Sequence, residues 1–88
     1  MKSKITGWQI CVVDNGFVFV GDCDATDRNT LVIQRCKQLR KWGTQRGLGQ
    51  LIDGPTKETI IDPVEVIMVP YARIVFTIPV NQMAWEKF

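Results

Sequence analysis

This 88-residue chain contains no histidine, the side chain most often used for acid–base catalysis near neutral pH. Its only cysteines, Cys11, Cys23 and Cys36, are widely spaced and form no Cys-x-x-Cys motif. Zinc and a disulfide scaffold are therefore not expected, and neither is another metal or a cofactor. We expect three free, buried, structural thiols in a reducing cytoplasm.

The chain also lacks any apolar run approaching the ~20 residues of a membrane span. Met1–Lys4 is polar and no apolar segment follows it, so no secretory signal is expected. With 45% hydrophobic residues the chain can build one small core, which predicts a single domain over residues 1–88. Small domains are marginally stable alone, and this favours a homo-oligomer.

Catalytic groups are sparse. The only concentration of carboxylates is Asp22, Asp24 and Asp27, which could bind a divalent cation but are more typical of turn residues that cap their own backbone. The cysteines have no evident base beside them. We therefore expect that the protein is not an enzyme.

The middle of the chain has no acidic residue between Arg28 and Leu51. The cations of this basic segment are Arg28, Arg35, Lys37, Arg40, Lys41 and Arg46. A basic segment between acidic flanks can face phosphate groups, or it can be a solvated loop whose charges balance those acids.

Three short β-rich runs are present at Trp8–Asp14, Phe17–Cys23 and Thr30–Arg35. Asn15-Gly16 between the first two predicts a tight type I′ hairpin. Alternate residues of a strand point to opposite faces of the sheet, and in these runs both sets are apolar. This predicts that both faces of the sheet are buried. A loop, a terminal segment or another subunit could cover the outer face.

Beyond these runs the pattern is less regular. Lys37–Trp42 either extends strand three or forms a helical turn. Trp42 is expected to anchor the core, and the alternative is that Trp42 or Tyr71 is a stacking platform for nucleic-acid bases. A long loop, Gly43–Pro63, follows with a short extended piece at Glu58–Asp62, and its glycines do not match a phosphate-binding loop.

The C-terminal third predicts a second pair of strands. Strand four is expected over Val64–Val69, a break at Pro70–Ala72, and strand five over Arg73–Val80, with Pro79 marking an edge or end. The apolar tail residues Met83, Trp85 and Phe88 are expected to pack on the barrel or on a neighbour.

The order of strands and turns resembles the Sm-like family of five-stranded bent barrels. Gly16, Gly21 and Asp27 stand where the first Sm motif has its glycines and loop aspartate, and Leu31 and Ile33 match its apolar pair. Val69–Val75 resembles the second motif, and Gly43–Pro63 looks like small phage-borne Sm-like proteins. The resemblance implies an all-β, strongly bent, SH3-type barrel with a long loop between strands three and four.

It also implies a ring of five to seven copies, built by pairing strand four with a neighbour's strand five. The uridine pocket of the family carries over poorly, because Pro70-Tyr71 stands where Arg-Gly is expected and Arg73 is displaced. The base-contacting places fall on Asn29, Thr30 and Tyr71.

Two functions are therefore expected. One is weak binding of single-stranded RNA or DNA, using the residues Asn29, Thr30, Arg35, Lys37, Arg40, Lys41, Arg46, Tyr71 and Arg73. Charge reversal at Lys37, Arg40 and Lys41 together is expected to abolish that binding. The other function is a self-assembling structural or adaptor protein that binds protein.

Overall fold

The computed structural model describes residues 5–25 and 29–88 and has five antiparallel strands in one sheet. The strands are β1 (Thr6–Val13), β2 (Val18–Ala25), β3 (Thr30–Lys41), β4 (Ile60–Pro70) and β5 (Ile74–Pro79). Their order across the sheet is β4-β3-β2-β1-β5, so that β4 and β5 form its two edges. The predicted all-β, five-stranded fold is confirmed.

The Val13–Phe17 pair closes a three-residue turn, Asp14–Gly16, between β1 and β2, so the predicted type I′ turn is wrong. The Val13 N–H donates to the Phe17 carbonyl (2.9 Å), and the Gly16 N–H donates to the Val13 carbonyl (2.9 Å). Gly16 has φ +85°, whereas Asn15 does not have a positive φ. Loops of this length commonly combine a type I turn with one left-handed residue, and here the glycine provides it.

Lys37–Lys41 continues β3, so of the two alternatives for this stretch the strand extension is confirmed and the helical turn is wrong. A bulge interrupts its pairing with β2 near Arg35, which has φ +49°. Gly21 faces this bulge so closely that a Cβ there would lie 2.6 Å from the Cγ2 of Ile33. Bulges bend a strand and increase its twist, so this one helps the sheet to curl.

One face of the curled sheet encloses a core to which all five strands contribute. Its fully or nearly fully buried members are Cys11, Cys23, Leu31, Ile33, Cys36 and Val69, and Ile74 of β5 packs against them. Because both edge strands reach the same core, the sheet is barrel-like. The three cysteines are free and buried, as predicted.

The opposite face carries a second core, which confirms that both faces of the sheet are buried. Trp8, Ile10 and Leu39 from the strands meet Leu48 and Leu51 from a short 3₁₀ helix, η1 (Leu48–Leu51). Trp85 from the C-terminal helix α1 (Gln82–Trp85) completes this core and is fully buried. Its indole Nε1 donates to the Leu51 carbonyl at 2.8 Å. A loop and a terminal segment of the same chain therefore cover this face.

The long β3–β4 loop covers residues 42–59 and is shorter than predicted. The expected extended piece at Glu58–Asp62 is largely the beginning of β4, which starts at Ile60. The predicted break follows Pro70 as a 3₁₀ turn, η2 (Tyr71–Arg73), so β5 begins one residue later than expected. Pro79 ends β5, which is an edge strand, as predicted.

Of the three apolar tail residues, Trp85 is fully packed on the barrel, whereas Met83 is 79% exposed and Phe88 is half-exposed. That Met83 and Phe88 pack on a neighbour stays a prediction. The prediction for Trp42 is wrong, because this side chain is 41% exposed and does not anchor the core. The predictions for Asp27 and Arg28 lie outside the described residues.

Candidate nucleic-acid interface and open sheet edges

The structure brings the expected base-contacting residues together at one end of the sheet. The Tyr71 N–H donates to the Asn29 carbonyl at 2.9 Å, and Thr30 pairs with Pro70 across β3 and β4. Asn29 is exposed with φ +59°, a left-handed conformation that asparagine tolerates. The end of the β2–β3 connection and the η2 turn thus form one continuous surface.

Arg73 lies in the same turn, but its guanidinium is already engaged. Its Nε is 2.7 Å from Oδ2 of Asp14 in the β1–β2 loop, and the Asp14 N–H donates to the Arg73 carbonyl at 2.9 Å. Both groups are partly exposed, so the pair contributes little to stability. It does direct Arg73 toward the hairpin and balance its charge.

The basic segment is divided by the fold. Arg40 forms a bidentate pair with Asp62 of β4, with Nε–Oδ2 and Nη2–Oδ1 distances of 2.8 and 3.1 Å. Strand alternation places Lys37 on the opposite face, beside Leu39. Lys37 is only 8% exposed, and burial, followed by the nearby charge of Arg35, lowers its pKa. Neither side chain is freely available to phosphate.

Arg35 and Lys37 instead converge on Trp8. The Cζ of Arg35 lies 5.5 Å from the centre of the indole ring, and the Nζ of Lys37 lies 5.7 Å from it. Both distances are within the range of cation–π attraction. Nothing in the sequence pattern indicated that these two cations would pack against one buried tryptophan.

Lys41 and Arg46 are exposed cations of the segment that form no ion pair among the described residues, and Trp42 is exposed between them in the chain. Lys41 ends β3, whereas Thr30 begins it. At about 3.3 Å per residue these two positions stand tens of ångströms apart, comparable with the 37 Å length of the molecule. The predicted site residues therefore do not form one site. They are spread along β3: Asn29, Thr30, Tyr71 and Arg73 lie at its beginning, Arg35, Lys37 and Arg40 lie within it, and Lys41 and Arg46 lie at its end and in the loop that follows.

The edge strands carry a different surface, which the sequence analysis did not assign to residues. Val66 and Met68 of β4 are exposed, as are Val75 and Phe76 of β5. Large apolar side chains grouped on a sheet edge commonly mark a contact surface. A cleft of about 310 Å³ lies beside the β4 edge, lined by residues of β1, β2, β4 and η2 that include Phe19, Met68 and Arg73.

Within residues 5–25 and 29–88 no group of three potential metal ligands comes together, and Asp27 is outside those ranges. No helix in that part of the chain is long and apolar enough to cross a membrane. Comparison with known proteins finds no family model that matches this chain and no matching curated protein.

Proposed function

We propose that this chain is a Sm-like, phage-type protein whose primary role is self-assembly into a homo-oligomeric ring. In this ring β4 of one copy pairs with β5 of the next. The observation that carries the proposal is that both edges of the five-stranded sheet are unpaired within the described residues and present large apolar side chains. One chain thus carries both halves of a head-to-tail contact.

Edge pairing would satisfy backbone groups that are otherwise left to water, and it would bury the apolar side chains beside them. Head-to-tail contacts close into a ring when the rotation from one copy to the next is a whole-number fraction of a full turn. The resemblance to Sm-like proteins implies five to seven copies. We expect the assembly to act in the cytoplasm as a structural or adaptor protein without catalysing a reaction.

The test substitutes the most exposed large residue of the β4 edge. Met68 is 72% exposed, so Met68→Lys disturbs little within one copy but places a charge in the expected contact. Loss of one buried methionine at ~1.5–3 kcal/mol predicts a rise of about tenfold or more in the subunit dissociation constant. Analytical ultracentrifugation over a wide concentration range measures it.

Met83→Lys is the matched control because Met83 is equally exposed but lies on α1, away from both edges. We expect Met83→Lys to keep the wild-type oligomer. A wild-type protein that sediments as a monomer at all concentrations contradicts the proposal, and so does equal dissociation of the two variants.

A second candidate function is weak, sequence-tolerant binding of single-stranded nucleic acid. The exposed Trp42, flanked in the chain by the exposed Lys41 and Arg46, supports it, since an aromatic platform beside cations suits stacked bases and phosphates. Repetition around a ring would multiply a weak contact by avidity. Arg40 and Arg73 add little, because each is paired with a carboxylate.

The fold changes which variants test this binding. Charge reversal at Lys37 would bury a carboxylate and affect folding, so we choose Lys41→Glu with Arg46→Glu. Lys57→Glu, also exposed in the β3–β4 loop, is the control. Fluorescence anisotropy with labelled oligo-uridine at several salt concentrations should show lower affinity and a shallower salt slope, by about one unit per lost phosphate contact, for the double variant only. If the wild type does not bind the oligonucleotide at low salt, nucleic-acid binding is contradicted and only the self-assembly proposal remains.

A further inference from the structure

Lys37 is a largely buried residue whose ammonium has few polar partners. It is 8% exposed, and its Nζ donates one long hydrogen bond, 3.4 Å, to the carbonyl of Arg35. An ammonium carries three donors, and among the described residues no carboxylate lies within ion-pair distance of this one. Its other neighbour is the indole ring of Trp8, 5.7 Å from Nζ, so an anion could still supply acceptors to this ammonium.

A second cation without a carboxylate partner lies close to Lys37. The guanidinium of Arg35 packs against the same indole ring, 5.5 Å from its centre, and has no carboxylate partner among the described residues. Asp22 of β2 is paired with Trp8 of β1 and with Gln34 of β3. It forms no ion pair with Arg35 or Lys37. Lys37 and the solvent-exposed Arg35 thus stand at one end of the second core without a carboxylate partner among the described residues.

Lys37 also lines a cleft of about 250 Å³ between β3, β4 and the C-terminal segment. The other walls are Ile61, Pro63 and the ring of Phe88, so the cleft is apolar apart from the lysine. Phe88 is held in place because its N–H donates to the Trp85 carbonyl at 3.1 Å and its ring meets the buried Trp85 edge-on. The wall is therefore a built feature of the fold.

We propose that this cleft binds a small aromatic monocarboxylate, with the carboxylate on the Nζ of Lys37 and the ring between Ile61, Pro63 and Phe88. The volume suits this class, because a cavity of ~150 Å³ already holds a benzene ring. A carboxylate would supply the acceptors that the ammonium lacks, and charge-assisted hydrogen bonds are the stronger kind. Phosphate would satisfy the charge but leave the apolar walls uncovered.

Phenylacetate is the probe, titrated into the full-length protein by NMR, with the methyl signals of Ile61 locating the site. Lys37→Met keeps most of the side-chain bulk and removes the charge, and Lys41→Met on the same strand is the control. We expect binding to the wild type and to Lys41→Met, and a loss of at least about tenfold for Lys37→Met. Phenylacetamide, the neutral analogue, should bind the wild type correspondingly less tightly.

Phe88→Ala provides a second variant for which folding is not in question, since Phe88 is half-exposed. It should also weaken phenylacetate binding several-fold. The proposal is overturned if phenylacetate does not shift the Ile61 signals at its highest soluble concentration. It is equally overturned if Lys37→Met or Phe88→Ala binds as tightly as the wild type, or if inorganic phosphate binds as well as phenylacetate.

Discussion

At the scale of single residues, burial controls the chemistry of the three thiols. It raises the pKa of Cys11 from 9.0 to about 11, and the pKa values of Cys23 and Cys36 to about 12. Because the thiolate is the reactive form, we expect all three to resist a bulky thiol reagent at pH 8 in the native protein. They should react together when the protein unfolds. A thiol reagent that releases a chromophore on reaction allows this to be followed by absorbance.

The same burial favours the neutral thiols in the folded state. Their contribution to stability is therefore complete below pH 9 and is lost as the pH rises through about 11 to 12. Labelling in denaturant gives the rate for exposed thiols. Rapid labelling of Cys36 in the native protein would show that the central part of β3 opens to solvent, contrary to this expectation.

At the scale of elements, one side chain joins the C-terminal helix to the β3–β4 loop. Trp85 fills the second core, and its indole N–H donates to the Leu51 carbonyl in η1 at 2.8 Å. Trp85→Phe would leave that carbonyl without its donor and reduce the packed volume. We expect the free energy of unfolding to fall by about 1–3 kcal/mol, measured by urea denaturation.

Trp42→Phe is the matched control, since Trp42 is 41% exposed, lies outside both cores and is in the same loop as η1. It should change the free energy of unfolding by no more than about 0.5 kcal/mol. Equal effects of the two substitutions would mean that the contact between α1 and η1 does not stabilise the covered face.

At the scale of the whole molecule, the two open edges link stability to assembly. If copies associate through β4 and β5, only the folded chain binds, so the melting temperature must rise with protein concentration. We expect this rise for the wild type and for Met83→Lys, and a weaker one for Met68→Lys. Differential scanning calorimetry over a hundredfold concentration range measures it, and a constant melting temperature for the wild type contradicts assembly.

Local signals in the sequence determined much of the architecture. Runs of β-branched and aromatic residues indicated the strands, Gly16 marked the first reversal, and Pro70 and Pro79 marked the end of β4 and of β5. These signals act within a few residues through φ/ψ preference and the missing proline N–H, so they can be read without knowing the tertiary contacts. The apolar character of both strand faces likewise predicted two buried faces.

Only the tertiary structure decided which charges are available. Arg40 lies in a segment that contains no acidic residue. Strand β4 nevertheless brings Asp62, 22 residues further along the chain, against it. Lys37 is buried, while Trp42, expected in the core, faces solvent. The bulge at Arg35 shifts the alternation of β3, and that shift sets which side chains face the covered core. Such pairings depend on strand register and on residues distant in sequence, which composition and spacing do not encode.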